Sequence, residues 1–341
     1  MINYLKDLSE LKGPSGKEDE IRNYIKKKLE EKNIKCEEDF FGNLYVYKRG
    51  RNRINLNVGV FAHMDEVGVI VTGYTSDGFL RIKPIGGVDP EILPGTEIIF
   101  MNGIKGVVSA IPPHKKGNIK YKFSDIIVDI GAYKRDEAKE KVPPGTEGVF
   151  DTEFEEIGNK VYKGKAFDDR AGTTVMLSTI LDEEVPFDTT FVFTCQEETG
   201  LVGAKIASKR MDFDLAFILE GTFAFEPYHS EEEYYPRMGK GPVVTKMDRS
   251  LIVDEVIIDY IQKAAGKFHI PFQWKIPLTG ATDGGMVTLT NKGVKTCVIA
   301  VPCRYIHSKA SLLYEDDLIN AKKLLLKTME VIYEENFKEI M

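Results

Sequence analysis

The sequence predicts an α/β protein in which a central mixed sheet is flanked by helices and a small all-β domain is inserted. Three observations lead there. Short, wholly apolar runs at residues 58–62, 215–219 and 296–301 read as strands buried on both faces. Segments of helical period alternate with them. Across residues 70–161 the texture changes to brief β-like runs separated by Gly, Pro and Asp turns. A chain of 341 residues exceeds one typical core, so the reading is a catalytic domain of residues 1–69 and 162–341, interrupted by the β-rich insert 70–161.

The elements follow in order. Ser15 and Glu18 have capping-box spacing, and Ile21, Ile25 and Leu29 continue at helical period. Residues 40–47 carry a Gly42-Asn43 turn and read as a hairpin. Residues 55–62 read as a strand that ends on His63. Within the insert, strands are expected at 69–74, 80–84, 97–100, 104–111 and 126–130, with one helix over Arg135–Lys141. After residue 161 come a helix (171–181), a strand (189–195), a helix (202–210) and a strand (215–219). A helix at 251–265, a strand at 296–301 and a long closing helix at 316–335 complete the chain. The last carries Leu318, Ala321, Leu325, Met329 and Ile332 on one stripe.

Composition narrows the function. The net charge of -7 argues against a nucleic-acid partner, which calls for a basic face. No apolar run reaches the roughly 18–20 residues of a membrane helix, and the N-terminus has no signal-peptide pattern. Cys36, Cys195, Cys297 and Cys303 form no CxxC pair and read as reduced thiols of a cytoplasmic protein. Cys195, beside an acidic pair, is read as a buried strand thiol, with metal ligand or nucleophile as the alternative.

The chemistry sits where apolar runs end. His63 closes one strand, and Asp65 can orient it. Asp168-Asp169 precedes a helix, either as capping charges or as a carboxylate offered to two cations. Glu197-Glu198 follows a strand with no polar lead-in, so one can ligate a metal while the other acts as general base; helix-start acids are the plain alternative. Glu220 and His307 each follow a buried run. One His or Glu so placed is unremarkable, but the five placements together suit a two-metal hydrolase. His114, His229 and His269 lie in loops or between elements and carry no such signal. Residues 279–285 form a glycine-rich turn with one acid and lack the Lys and spacing of a phosphate loop, which leaves substrate contact or a plain turn. The acidic stretch 230–235 reads as a solvated loop.

These motifs resemble the M42 family of metallo-aminopeptidases, the tetrahedral (TET) or glutamyl aminopeptidase-like enzymes. The resemblance runs nearly end to end. It includes Gly13-Pro14-Ser15-Gly16, Ala62-His63-Met64-Asp65-Glu66, the segment 81–90, Asp168-Asp169-Arg170-Ala171-Gly172, Gln196-Glu197-Glu198-Thr199-Gly200, Thr282-Asp283-Gly284 and Arg304-Tyr305-Ile306-His307-Ser308. It implies a zinc-exopeptidase-like fold, a dimerisation role for the insert, and a homo-oligomer built from dimers into a dodecamer. Two divalent ions per subunit are implied, zinc or cobalt, with manganese also suited. His63, Asp168 and Glu220 would hold one ion, or the equivalent pairing, and His307, Glu198 and the bridging Asp168 the other. Glu197 would be the catalytic base, with Asp65 supporting His63 in the catalytic set. The substrates implied are peptides with a free N-terminus. The alternatives are a deblocking or other amide hydrolase and a non-catalytic assembly protein. Glu220 departs from the Asp found in many members, and residues 223–235 look unlike the usual loop. Lys240, Lys246, Arg249 and Arg304 are the candidate cations for an acid-binding pocket.

Overall fold

The apolar runs pair side by side into a parallel core, and every functional strand end points to one edge of it. In this computed structural model, residues 1–51, 56–110, 120–226, 235–276, 280–290 and 292–335 are described. The strands before and within the insert are β1 (Glu37–Glu38), β2 (Leu44–Lys48), β3 (Val58–His63), β4 (Gly68–Tyr74), β5 (Leu80–Ile85), β6 (Glu97–Phe100), β7 (Lys105–Ala110), β8 (Ile126–Asp129) and β9 (Glu147–Phe150). Then follow β10 (Glu155–Gly158), β11 (Val161–Gly164), β12 (Thr189–Thr194), β13 (Leu215–Phe223), β14 (Val243–Thr245), β15 (Gln273–Lys275), β16 (Lys295–Arg304) and β17 (Ser311–Tyr314). The helices are α1 (Ile2–Glu10), α2 (Asp19–Glu30), α3 (Arg135–Lys141), α4 (Phe167–Asp182), α5 (Val202–Arg210), α6 (Glu255–Phe268), α7 (Gly284–Val287) and α8 (Glu315–Glu334).

Eleven strands among the described residues form one mixed sheet, in the order β1-β2-β12-β3-β13-β16-β17-β11-β10, with β14 on β16 and β15 on β14. β12, β3, β13 and β16 run parallel. Every residue of β3 and β12 is buried, which is why these runs show no polar alternation. Helix α4 lies against β3, β13 and β16, and α8 packs on α6 and β16. The other six strands close into a barrel, β4-β5-β8-β7-β6-β9, around its own apolar cluster that includes Val69, Leu80, Phe100 and Val128. The barrel ends at Phe150; β10 and β11, at the end of the segment 70–161, pair into the large sheet.

Several elements differ from the sequence reading. Ser15 does not cap α2: its hydroxyl donates to Asp65 Oδ2 at 2.6 Å, and the Glu18 carboxylate accepts from Gly16 and Gln196 N–H. A buried carboxylate demands donors, and that demand outweighs the local cap. The hairpin begins at Glu37, upstream of Phe40. Strand β13 does not stop at Leu219 but carries Glu220 within it and runs on to Phe223, because β16 pairs it as far as Phe223 opposite Cys303. Helix α6 starts at Glu255, where Asp254 accepts from Val256 N–H at 2.9 Å. Asn55, Ile111, His114, His229, Thr279 and most of the stretch 230–235 lie outside the described residues.

A buried ion cluster clamps the N-terminal segment to the site-bearing loops. Lys165 Nζ lies 2.7 Å and 2.9 Å from the two oxygens of Glu66 and donates to Leu11 O at 2.7 Å. Arg170 donates to Leu8 O at 3.1 Å and to Glu66 at 3.3 Å, and Gly13 N–H donates to the same carboxylate at 3.0 Å. Two cations buried around one anion make that anion costly to lose. Glu66→Ala should destabilise the fold by roughly 3–5 kcal/mol, read from urea unfolding, because it strands Lys165 and Arg170 without a counter-charge.

Candidate active site

Strand register brings the site together. Thr194 pairs with His63, so the loop after β12 emerges beside the loop after β3. On the other side β13 pairs with β3 up to Ile218 opposite Phe61. Two residues further along each strand stand Glu220 and His63, whose Oε1 and Nε2 are 3.2 Å apart. Asp168 enters from the start of α4, and the close backbone approach is possible because position 221 is glycine: a Cβ there would meet Asp168 Cα at 2.7 Å. The Asp168–Asp169 peptide is cis.

Asp168 lies between the two imidazoles. Its Oδ1 is 3.2 Å from His63 Nε2, and its Oδ2 is 3.3 Å from His307 Nε2. His307 Nε2 is also 3.2 Å from Glu198 Oε1. On their far sides the rings face carbonyls, which only accept. His63 Nδ1 is 3.1 Å from Asp65 O, and His307 Nδ1 is 3.0 Å from Gly87 O. Both Nδ1 atoms therefore carry the proton, and both Nε2 atoms are turned toward the carboxylates. Gly87 belongs to the loop after β5, so the barrel supplies one of these anchors.

Asp65 sits behind this set and is wholly buried. It accepts from Glu197 N–H at 2.9 Å, Glu198 N–H at 3.1 Å and the Ser15 hydroxyl, and its Oδ1 lies 3.4 Å from His63 Nδ1. One carboxylate thus orients an imidazole and fixes the backbone of both adjacent glutamates. Burial raises its pKa, but the contacts with His63, Ser15 and Glu197 outweigh that and hold it below the usual range. Glu197 turns its carboxylate toward the cleft, 4.0 Å from His63 Nε2. Burial, aided by the negative charges of Glu220, Glu198 and Asp283 and opposed by His63, pushes its pKa well up. Burial likewise raises Glu220, to about 8. Burial opposes charge on the imidazoles, yet the surrounding carboxylates win: His63 is raised and His307 lifted to about 11.

The set has the chemistry of a cation site. Carboxylates crowd two imidazoles, and the buried Glu220 Oε2 and Asp169 Oδ2 have no hydrogen-bond partner among the described residues. Ligand atoms of His63, Asp168 and Glu198, and of His63, Asp169 and Glu220, lie within 4.8 Å of one another. Hard oxygen and imidazole donors with unsatisfied lone pairs fit divalent metal ions.

The seven residues singled out from sequence, His63, Asp65, Asp168, Glu197, Glu198, Glu220 and His307, are all brought together here. His269 caps the end of α6, and the buried Cys195 receives a contact from Arg22 Nη2 at 3.7 Å; neither belongs to the cluster. Three further residues stand outside that set of seven. Asp169 stands on Glu220, and the buried Asp283 accepts from Thr194 Oγ1 at 2.5 Å. Lys275 lines the adjoining cavity of about 600 Å³, which also reaches Asp168, Glu197, Glu198 and His307. Asp283 had a signal in the Thr282-Asp283-Gly284 turn, and Lys275 only in being a lone cation on a short strand.

Comparison with known proteins supplies the class. The lysyl aminopeptidase of Pyrococcus furiosus is 33% identical over 338 residues, covering 96% of each chain. The solved TET aminopeptidase of a marine-sediment Thaumarchaeota archaeon is 30% identical with a TM-score of 0.93, covering 100% of this chain and 99% of its own. The TET1 peptidase of Pyrococcus horikoshii, whose structure is described as able to assemble into a tetrahedron or a large octahedral shell, is 30% identical with a TM-score of 0.84, covering 96% and 98%. Fold and relatives together define a peptide hydrolase of the aminopeptidase class. The chain belongs to the M42 glutamyl aminopeptidase family, whose model matches residues 42–324.

A site built this way should be stabilised by its cation. Tested with zinc or cobalt, an ion held there and present at about 100 times its Kd should add about 2.7 kcal/mol to the stability of the chain. The check is a thermal melt with and without added ion: a rise in Tm that a chelator reverses is expected, and no rise with either ion would count against a cation site.

Proposed function

We propose that this protein removes N-terminal residues from peptides by metal-assisted hydrolysis, with Glu197 as general base. The observation that carries the reading is Asp168, whose two oxygens face one imidazole each at 3.2 Å and 3.3 Å. A carboxylate in that position suits a bridge between two cations. In this reading His63, Asp168 and Glu220 hold one ion, and His307, Glu198 and Asp168 hold the other. Zinc or cobalt suits such donors, and manganese fits as well. Bound divalent ions would polarise the scissile carbonyl and make water acidic enough to deprotonate near neutral pH.

The side chains do the rest. Glu197 takes a proton from the attacking water on the carboxylate that faces the cleft, and delivers it to the leaving amine. Asp65 keeps Glu197 and Glu198 in place through their N–H groups, a positioning role. The α-ammonium of a substrate is drawn to the carboxylates, which favours cleavage at the first residue. Segment 70–161, containing the barrel, is read as the dimerisation module of a catalytic domain spanning 1–69 and 162–341. Dimers would build a dodecamer, as the shell-forming relative suggests. Free cysteines, three of them buried, agree with a cytoplasmic location.

The test pairs two peptides that differ only in N-acetylation, incubated with zinc- or cobalt-loaded protein and read by mass spectrometry. A ladder from the free peptide alone is expected; cleavage of the acetylated peptide would move the reading to a deblocking hydrolase. Glu197→Gln should retain bound metal while kcat drops by about 10²–10⁴-fold. Turnover at the wild-type rate in that variant would remove Glu197 from the role of base.

A further inference from the structure

The cavity beside the carboxylate–imidazole cluster has two unlike ends. One is enclosed and polar: Thr222, Thr245, Lys275 and Thr282 line it, and all four are buried. The other is open and aromatic. Phe223, the last residue of β13, lines the cavity and is 41% exposed. Its ring centroid is 6.1 Å from that of His307.

Strand alternation separates the two ends. Glu220 and Thr222 share one face of β13, and the Thr222 hydroxyl accepts from Lys275 Nζ at 3.0 Å. Gly221 and Phe223 share the other face, the one that meets the backbone of Asp168. The ring of Phe223 is also firmly backed. Ala224 N–H donates to Cys303 O at 2.8 Å, and Phe225 N–H donates to Pro236 O at 2.9 Å. Glu226 accepts from Arg304 Nε at 2.8 Å and from Met238 N–H at 2.9 Å. Phe225 lies 6.0 Å from Phe223 and meets the Tyr235 ring edge-on at 4.7 Å. An aromatic side chain left in water forgoes the burial that would stabilise it. Here the backbone on both sides of the ring is fixed, so the burial is recovered when an apolar group settles over it.

A peptide cut at its first residue enters amine first. That residue fills the enclosed part of the cavity, and the rest of the peptide leaves across the rim. Resting on the aminopeptidase reading above, we infer that Phe223 is a specificity-determining residue that packs against the side chain following the cut bond and favours an aromatic or branched aliphatic second residue. A glycine in that place offers the ring no surface, and an aspartate would lose hydration against it.

The metal-loaded wild-type protein is assayed against peptides identical except for a second residue of Phe, Leu, Ala, Gly or Asp. The first residue is held as whichever one the protein removes fastest. In kcat/KM, Phe and Leu are expected first and Gly and Asp last, with about 10-fold between Phe and Gly, the scale of one aromatic contact. Phe223→Ala should bring that ratio close to one. Phe223→Leu, which conserves an apolar side chain, should shrink the advantage of Phe more than that of Leu. A thermal melt and light scattering report the fold and assembly mass of each variant; the wild-type order and Phe223→Leu carry the test if Phe223→Ala does not fold. A flat wild-type order, or one led by Gly or Asp, overturns the inference and leaves the aminopeptidase reading standing. An equal loss on all five peptides also overturns it, making Phe223 a support for His307. A fall in assembly mass with the ratio intact does the same, making the ring a contact between copies of the chain. Failure to cleave any free peptide overturns the aminopeptidase reading and this inference with it.

Discussion

Concentrated like charge is the constraint on which this molecule is built. Asp65, Asp168, Asp169, Glu197, Glu198 and Glu220 are held around two imidazoles in a largely buried setting. Carboxylates at such spacing repel, and burial makes the repulsion worse. They stay together because they come from four separate parts of the chain, the loops after β3 and β12, the start of α4 and strand β13, each stabilised by its own packing elsewhere. The parallel strands β3, β12, β13 and β16 supply that rigidity, and their register decides which carboxylates meet. Hydrogen bonds absorb part of the charge, most clearly at Asp65, and the imidazoles absorb more. What is left over, such as Glu220 Oε2, is the molecule's appetite for cations.

Around this centre lies a layer of support that comes from far away in the chain. Ser15 reaches Asp65, Gly87 anchors His307, and Glu66 with Lys165 and Arg170 ties α1 to the loops on either side. Each removes a freedom that a side chain of the cluster would otherwise have, which is what precise placement needs. The large-sheet unit and the barrel have separate apolar cores, yet the ring of His307 bridges them through one hydrogen bond.

Much of this was legible in the sequence because burial on both faces erases alternation. A strand in such a sheet reads as a block, and a charged or imidazole residue at its end stands out, as at His63, Glu197 and His307. The insert was legible from its turn residues. Local signals failed where a distant partner won. The capping-box pattern of Ser15 and Glu18 gave way to Asp65 and Gln196, and the apparent end of a strand at Leu219 gave way to pairing with β16, which runs on through Glu220. Asp283 was legible only through its glycine-rich turn, and Lys275 was not legible as a cavity residue, since nothing nearby in sequence marks a lone lysine on a short strand.

The order of the ligand candidates along the chain carries one more consequence. They begin at His63 and end at His307, and the anchor of His307 comes from Gly87 in the barrel. A ribosome must release the chain at least as far as His307 before the set can close. Any shorter stretch of nascent chain holds an open, incomplete cluster, however early its first members fold.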